Sequence, residues 1–464
     1  MRIAPVLLLV VALGCGREGS RTAGGAPPAP APVPPPASAA PAAPSTPADL
    51  PRGLLLALSQ FEVSPEGKVL PKPGPARVEI LVRRGGQWEV EALEDPESNV
   101  FHKAMVYDPG PPGAPAPGIL TLGGSAAKLK LWRKRDGASP LDQSSASPLD
   151  QSSASPLDQS RKWQAETLWE KDFGGKFSRM RDAEAGDLFG DKRAALAVAT
   201  HDQGVVATVR PKPGGGYDVQ EIDREKDTFV HEIEIGDLDG DGVLEVYATP
   251  SEPNKLDGSE QKGVVTRYVP AKGEGRKVVA DLGDRHAKEI LVADVDGDGR
   301  DELYVSVEAK TAGSGDQISL VEPVEIRRYD AGTDPRQGQV IATIDDRLCR
   351  FLTVGDVDGD GKREIVAAAF RSGLWLLRPG ADPHAPWSVT SIDHNSSGFE
   401  HAAKLADLDG DGRDELYVAS DDQGEVRRYV WRDGRFDKEV IHRRAVPGSA
   451  FTFNIEPVPV ELLR

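Results

Sequence analysis

Four nine-residue segments of one pattern constrain this chain more than anything else in its sequence. They read Asp237-Leu-Asp239-Gly-Asp241-Gly-Val-Leu-Glu245, Asp294-Val-Asp296-Gly-Asp298-Gly-Arg-Asp-Glu302, Asp356-Val-Asp358-Gly-Asp360-Gly-Lys-Arg-Glu364 and Asp407-Leu-Asp409-Gly-Asp411-Gly-Arg-Asp-Glu415. Carboxylates stand at positions 1, 3, 5 and 9, and glycines at 4 and 6. A hard cation such as Ca²⁺ takes several oxygens at about 2.3–2.6 Å, so the chain must curl around it. Alternate aspartates aim their carboxylates inward, and the glycine at position 6 permits the sharp turn. Without a cation between them, carboxylates this close repel one another. The pattern predicts about four Ca²⁺ ions, held by these sixteen acidic residues.

An EF-hand begins with the same letters but needs a bidentate Glu at position 12, between two helices. Here position 12 is Ala248, Val305, Ala367 and Val418, each inside a β-branched or apolar run that reads as a strand. The loops therefore join strands. In the repeat around Asp237, strands are expected at Glu232–Ile235, Val246–Thr249, Val264–Tyr268 and Lys277–Asp281.

The loops resemble the Asp-x-Asp-Gly-Asp-Gly-x-x-Asp/Glu calcium loop of FG-GAP and VCBS repeats, found in integrin-type propellers and many bacterial surface proteins. The Phe-Gly and Gly-Ala-Pro flanks of integrin blades are absent, which points to the bacterial branch. The resemblance implies an all-β fold, a β-propeller with one calcium loop per metal-binding blade.

Blade counting follows from the spacing. A degenerate copy begins at Asp187 and keeps Asp191 but has Phe189 and Ala195 where ligands would stand. First positions then fall at 187, 237, 294, 356 and 407, a repeat length suited to four-stranded blades. A still earlier copy, Phe101 to Asp108, lies one blade upstream once the octads of Ala138–Ser160 (Ala-Ser-Pro-Leu-Asp-Gln-Ser-Ser) are set aside as a disordered insertion. Strand-like Leu54–Leu58, Val78–Arg83 and Trp88–Leu93 lack an innermost strand, while Phe451–Ile455 resembles one with nothing after it. Pairing the two ends gives seven four-stranded blades and removes the exposed sheet edges. Eight blades or an imperfect ring are the alternatives.

The N-terminus reads as an export signal. Arg2 precedes an apolar stretch, Ile3–Leu13, too short to span a bilayer. Ala12-Leu-Gly-Cys15 resembles the lipobox of bacterial lipoproteins, which implies a signal peptide at 1–14, acylation of Cys15 and a membrane contact through that lipid. Residues 15–51, rich in Ala and Pro, are expected to form a disordered tether, and residues 52–464 the propeller. The place implied is the cell envelope, outer-membrane, periplasmic or surface-facing. With Cys15 acylated, Cys349 has no partner, so calcium takes over the role of disulfides in an exported monomer. Cys349 itself is expected to be a buried small hydrophobe.

A net charge of −18 argues against nucleic acid as a partner. Yet six positions before each first Asp stands a basic residue: His102, Arg181, His231, Lys288, Arg350 and His401. In a propeller these begin successive innermost strands and ring the mouth of the axial channel. They form an anion trap, or else they pair with neighbouring carboxylates. The favoured expectation is a non-catalytic binding module for an acidic glycan, a phosphate-bearing envelope component or a carboxylate-rich protein. Two alternatives stand beside it. One is a lyase or hydrolase acting on acidic polysaccharide, with His102, His231 and His401 as acid/base groups. The other is a purely structural envelope lipoprotein. No Gly-x-Ser-x-Gly, phosphate loop or His-Glu-x-x-His occurs, and no catalytic residue is assigned.

Overall fold

Six sheets of four antiparallel strands follow one another along the chain, and a seventh joins its two ends. The computed structural model describes residues 50–463, apart from 126, 136–161, 175–177, 202, 227, 252–261 and 314–317. The signal segment, Cys15, all but the last residues of the tether and the octads lie outside the described residues. Blades 1 to 6 span Phe101–Glu170, Met180–Arg224, Phe229–Asp281, Ala287–Ile344, Cys349–Asp393 and Ala403–Arg443. Each runs outward from its first strand to its fourth. Blade 4 carries an added hairpin, Lys310–Ala312 with Ser319–Glu322, between its second and third strands.

In the closing blade, Arg52–Val63 pairs with Ala76–Arg84 on one side and with Ala450–Pro459 on the other. The last strand of the chain is thus the innermost of the seventh blade. The ring closes as the sequence predicts, and with seven blades. The expected strands of the Asp237 repeat are also present, at Phe229–Gly236, Glu245–Ser251, Val264–Val269 and Glu274–Asp281.

Composition explains why these segments form these strands. Each second strand of blades 1 to 6 is buried along its whole length, because a neighbouring blade covers each of its faces. Such strands read as unbroken apolar runs, as in Ala195-Leu-Ala-Val-Ala and Ile365-Val-Ala-Ala-Ala, rather than as alternation. Outer strands have one wet face and alternate, as Tyr217–Arg224 does. The core is accordingly divided into seven apolar clusters, each drawn chiefly from two adjacent blades. Two of them hold the closing blade, one against blade 1 and one against blade 6. Cys349 is buried in the cluster between blades 4 and 5, as expected of a small hydrophobe.

Candidate functional site

The calcium-type loops leave the ends of the first strands. At position 6 the four glycines have φ of 80–90°, a left-handed conformation that only glycine adopts without strain. The first Asp ties the turn: Gly242, Gly299, Gly361 and Gly412 donate their N–H to Asp237, Asp294, Asp356 and Asp407 at 2.8–3.0 Å. The degenerate loop keeps this geometry at a conformational cost. Lys192 takes the glycine position with φ 65° and donates to Asp187.

The loops gather most of the predicted ligands. Carboxylate oxygens of Asp294, Asp296, Asp298 and Glu302 lie within 4.8 Å of one another, as do those of Asp237, Asp239 and Asp241, of Asp356, Asp358 and Asp360, and of Asp407, Asp409 and Glu415. Glu245, Glu364 and Asp411 stand outside these groups. Two buried oxygens, Oδ1 of Asp358 and Oδ1 of Asp409, accept no hydrogen bond. A buried carboxylate oxygen without a donor is costly, and a cation among these oxygens would satisfy it. The donor set is all oxygen, which suits a hard ion.

The glutamate at position 9 does more than the sequence suggests. One of its oxygens accepts the N–H of position 2, from Leu238, Val295, Val357 and Leu408 in turn. The other faces an arginine on the third strand of the same blade. Arg267, Arg328, Arg378 and Arg428 each bridge the position-9 glutamate to the position-3 aspartate of their own loop. Burial nonetheless raises Glu302 and Glu415 to about 7. Sequence reading missed these four arginines. A signal exists, since three of them lie in Arg-Tyr pairs on third strands: Arg267-Tyr268, Arg328-Tyr329 and Arg428-Tyr429.

The basic residues lie at the other end of the first strands, about 20 Å away for six residues at ~3.3 Å each. Their aim comes from β-bulges. Pairing skips His102 in blade 1, Arg181 in blade 2, His231 with Glu232 in blade 3, Lys288 in blade 4 and Arg350 in blade 5. It skips Phe453 in the closing blade. An unpaired bulge residue kinks the strand and redirects its side chain. Four of the six predicted residues, His102, Arg181, Lys288 and Arg350, line an axial cavity with Glu400, Glu232, Asp182 and Lys103. The space among them is about 20 Å³, room for one or two water molecules.

The other two correct the expected ring. Beside the bulge of two residues in blade 3, it is Glu232 that lines the cavity. His231 packs against His201 and His286, at ring separations of 5.4 and 6.2 Å. His401 precedes the first strand of blade 6, which begins only at Ala403. Its Nδ1 meets the Ala369 carbonyl at 2.6 Å and its Nε2 the Ser396 hydroxyl at 2.7 Å. Its neighbour Glu400 takes the place at the mouth. The chain is not extended at His401, whose φ is 57°, and it is the neighbouring residue that faces the mouth.

Charge at the mouth is strongly coupled. Burial, then Arg350, brings Lys288 down to about 7. Burial, then Arg181, holds His102 well below the ordinary histidine value, so it is neutral. For Glu400, burial acts upward, but Arg350, Arg181 and Lys288 outweigh it and hold the carboxyl below its usual range. A larger concavity of about 620 Å³ lies on the rim between blades 3 and 4, beside Asp239 and Arg267.

The loop arginines generate a prediction. The side chains of Asp409 and Glu415 are 8 % and 3 % exposed, so Arg428→Met strands two buried carboxylates. Loss of one partner from a buried pair costs about 3–5 kcal/mol. Denaturant unfolding in the presence of a chelator should show a loss of that size; a loss under about 1 kcal/mol would show that the bridge does not brace the loop.

Comparison with known proteins agrees with the fold. Residues 356–418, which hold the third and fourth loops, match the FG-GAP-like repeat family. The rhamnogalacturonan endolyase YesW of Bacillus subtilis (strain 168) is 25% identical over 251 residues, 45% of this chain and 40% of that protein. The chain thus spans less than half the length of that relative. Among solved structures, a candidate 6-phosphogluconolactonase of Bacteroides fragilis aligns with 89% of this chain and 99% of its own, at 12% identity and a TM-score of 0.48. The periplasmic gluconolactonase PpgL of Pseudomonas aeruginosa aligns with 88% and 99%, at 13% identity and a TM-score of 0.45. The relative found by sequence bears an enzyme name, and the expectation that this chain is not an enzyme is set aside on that finding. The chain is a seven-bladed β-propeller that carries FG-GAP-like repeats.

Proposed function

We propose that the axial mouth is the active site of a lyase that cleaves an acidic polysaccharide by β-elimination. The observation that carries this reading is Lys288, a buried amine brought to about 7, set among Arg350, Arg181 and His102. An amine near neutrality is a competent general base at physiological pH. In the step proposed, neutral Lys288 takes the proton on the carbon next to a uronate carboxylate. The electron pair left on that carbon forms a carbon–carbon double bond as the neighbouring glycosidic C–O bond breaks, and the departing oxygen collects a proton. Arg350 and Arg181 neutralise the carboxylate, which lowers the energy of the carbanion-like transition state. His231 and His401 have no part in this reading, because neither lines the cavity. The endolyase relative, which by its name acts on rhamnogalacturonan, supports the choice of a polysaccharide.

Lysine acts as base only once it has lost its proton, so kcat/KM should rise with pH through about 7 and level off above it. Lys288→Met should reduce turnover by about 10²–10⁴-fold. Ultraviolet absorbance of the unsaturated product, followed on purified protein with a uronate polymer, checks both. Stoichiometric binding of that polymer without turnover would overturn the lyase.

We also propose that the four acidic loops hold Ca²⁺ and that the ions stabilise the ring. The unsatisfied oxygens of Asp358 and Asp409 support this. Bound calcium supplies positive charge that lets the loop carboxylates stay close together. At a concentration ~10 times a site's Kd, each ion adds about 1.4 kcal/mol, and four add roughly 6 kcal/mol. Thermal melts of the propeller with excess calcium and with chelator should differ on the order of 10 °C. Equal melts would count against calcium in these loops. The apolar run before Cys15 supports a place in the cell envelope, on a lipid. Metabolic labelling with a fatty acid, lost in Cys15→Ser, is the expected result; an unlabelled wild-type chain would exclude acylation.

A further inference from the structure

Among the described residues that line the axial cavity, Glu400 alone is not carried on a strand. It is 6% exposed. Its oxygens lie 3.3 and 3.4 Å from Nη1 of Arg350 and 3.6 Å from Nη2 of Arg181, groups from blades 5 and 2. These are long contacts for charge-assisted hydrogen bonds, which settle near 2.7–2.9 Å.

Arg350 is under-used by this pairing. Its side chain is 3% exposed, and its guanidinium lies over the Phe399 ring, 4.6 Å from the centroid. Only Nη1 donates a hydrogen bond to Glu400; Nε and Nη2 are buried with no hydrogen-bond partner. The nearest other carboxylate, that of Glu308, stays 3.9 Å from Nε, and its Oε1 has no hydrogen bond either. A guanidinium fork is built for two parallel bonds to a carboxylate, and here half of the fork is idle. Donors left idle in a buried site carry a penalty that a better-placed acceptor removes.

Strain is stored beside the same residue. His401 has φ 57°, in the left-handed region, and is fully buried. Its two ring contacts, to Ala369 and Ser396, hold it there. A non-glycine residue in this region persists only where its surroundings over-determine it, and such sites cluster at ligand clamps.

We infer that Glu400 is a resident carboxylate, an internal stand-in that a ligand's carboxylate displaces from Arg350 and Arg181. Displacement reconciles the small cavity with a carboxylate as ligand group: the seat is filled in the resting chain and opens by movement of one side chain. It exchanges one anion for another, so charge at the mouth stays balanced. The inference deepens the reading of the mouth as a uronate site and rests on it.

The test uses galacturonate and formate as probes, with galactose as the uncharged control, and reads binding by calorimetry at fixed ionic strength. In Glu400→Ala the seat is vacant, so both acids should bind at least ~10-fold more tightly than to the wild type, a gain of about 1.4 kcal/mol, while galactose binds no better. Adding Arg350→Gln should abolish the gain. If Glu400→Ala does not fold, the isosteric Glu400→Gln takes its place with the same readout. Affinity unchanged or weakened on loss of the carboxylate would overturn the inference, because Glu400 would then be inert or part of the binding surface. The readout is separate from turnover. Tightened binding in a protein that cleaves no polymer keeps the stand-in and sinks the lyase; cleavage without tightened binding does the reverse.

Discussion

The antiparallel pairing of Arg52–Gln60 with Ala450–Pro459 is the interaction on which the rest of this molecule depends. Every other blade is made from one continuous stretch of chain, but none can bury both faces unless its neighbours are present on each side. Take away the closing pair, and the clusters against blade 1 and blade 6 both lose a wall. Leu55, Leu56, Ile455 and Val458 are all but fully buried there. At roughly 1.5–3 kcal/mol for each large side chain, those four alone match the net stability of a domain. No disulfide secures the ring among the described residues, where Cys349 is the free cysteine.

Closure also fixes what the first strands can do. They converge on the axis, and side chains of one blade serve the backbone of the next. Asp182 accepts the N–H of Ile233, Glu289 that of Leu352, Thr353 that of Leu405, and Asn454 that of Ala104. At the loop end the same principle recurs: Asp301 accepts from Asp237, and Asp414 from Asp356. The first strands of blades 3 and 5 are therefore held from the side at two points each. The bulges sit inside this frame, which is why Arg181, Lys288 and Arg350 can be aimed inward despite their charge.

Much of this was legible because it is local. Loop spacing, glycine positions and apolar runs all lie within about ten residues, and they sufficed for the blades, the closure and the acidic groups. What depended on register was less legible. Six basic residues share one offset from the loops, yet His401 and His231 leave the cavity, because blade 6 starts its first strand late and blade 3 skips two residues rather than one. Glu400 could not be found by that offset, since it stands one place away from the recurring position. The loop arginines were missed for another reason. They lie 21 to 34 residues beyond the first Asp, as from Asp407 to Arg428 or Asp294 to Arg328, so no fixed spacing reveals them. Only their place on the third strand, beside the loop end of the second, recurs.

At the axial mouth, groups borne on strands meet one borne outside them. Lys288, Arg350, Arg181 and His102 sit on strands tied to both neighbouring blades, so their spacing is set by the ring. Glu400 is carried by a segment outside the strands, pinned through His401 to Ala369 and Ser396 rather than by a sheet. Catalysis by preorganised charge requires the positive groups to stay in place while the anion between them changes. In this mouth the cations stand on the frame, and among the described lining residues Glu400 alone lies outside a strand.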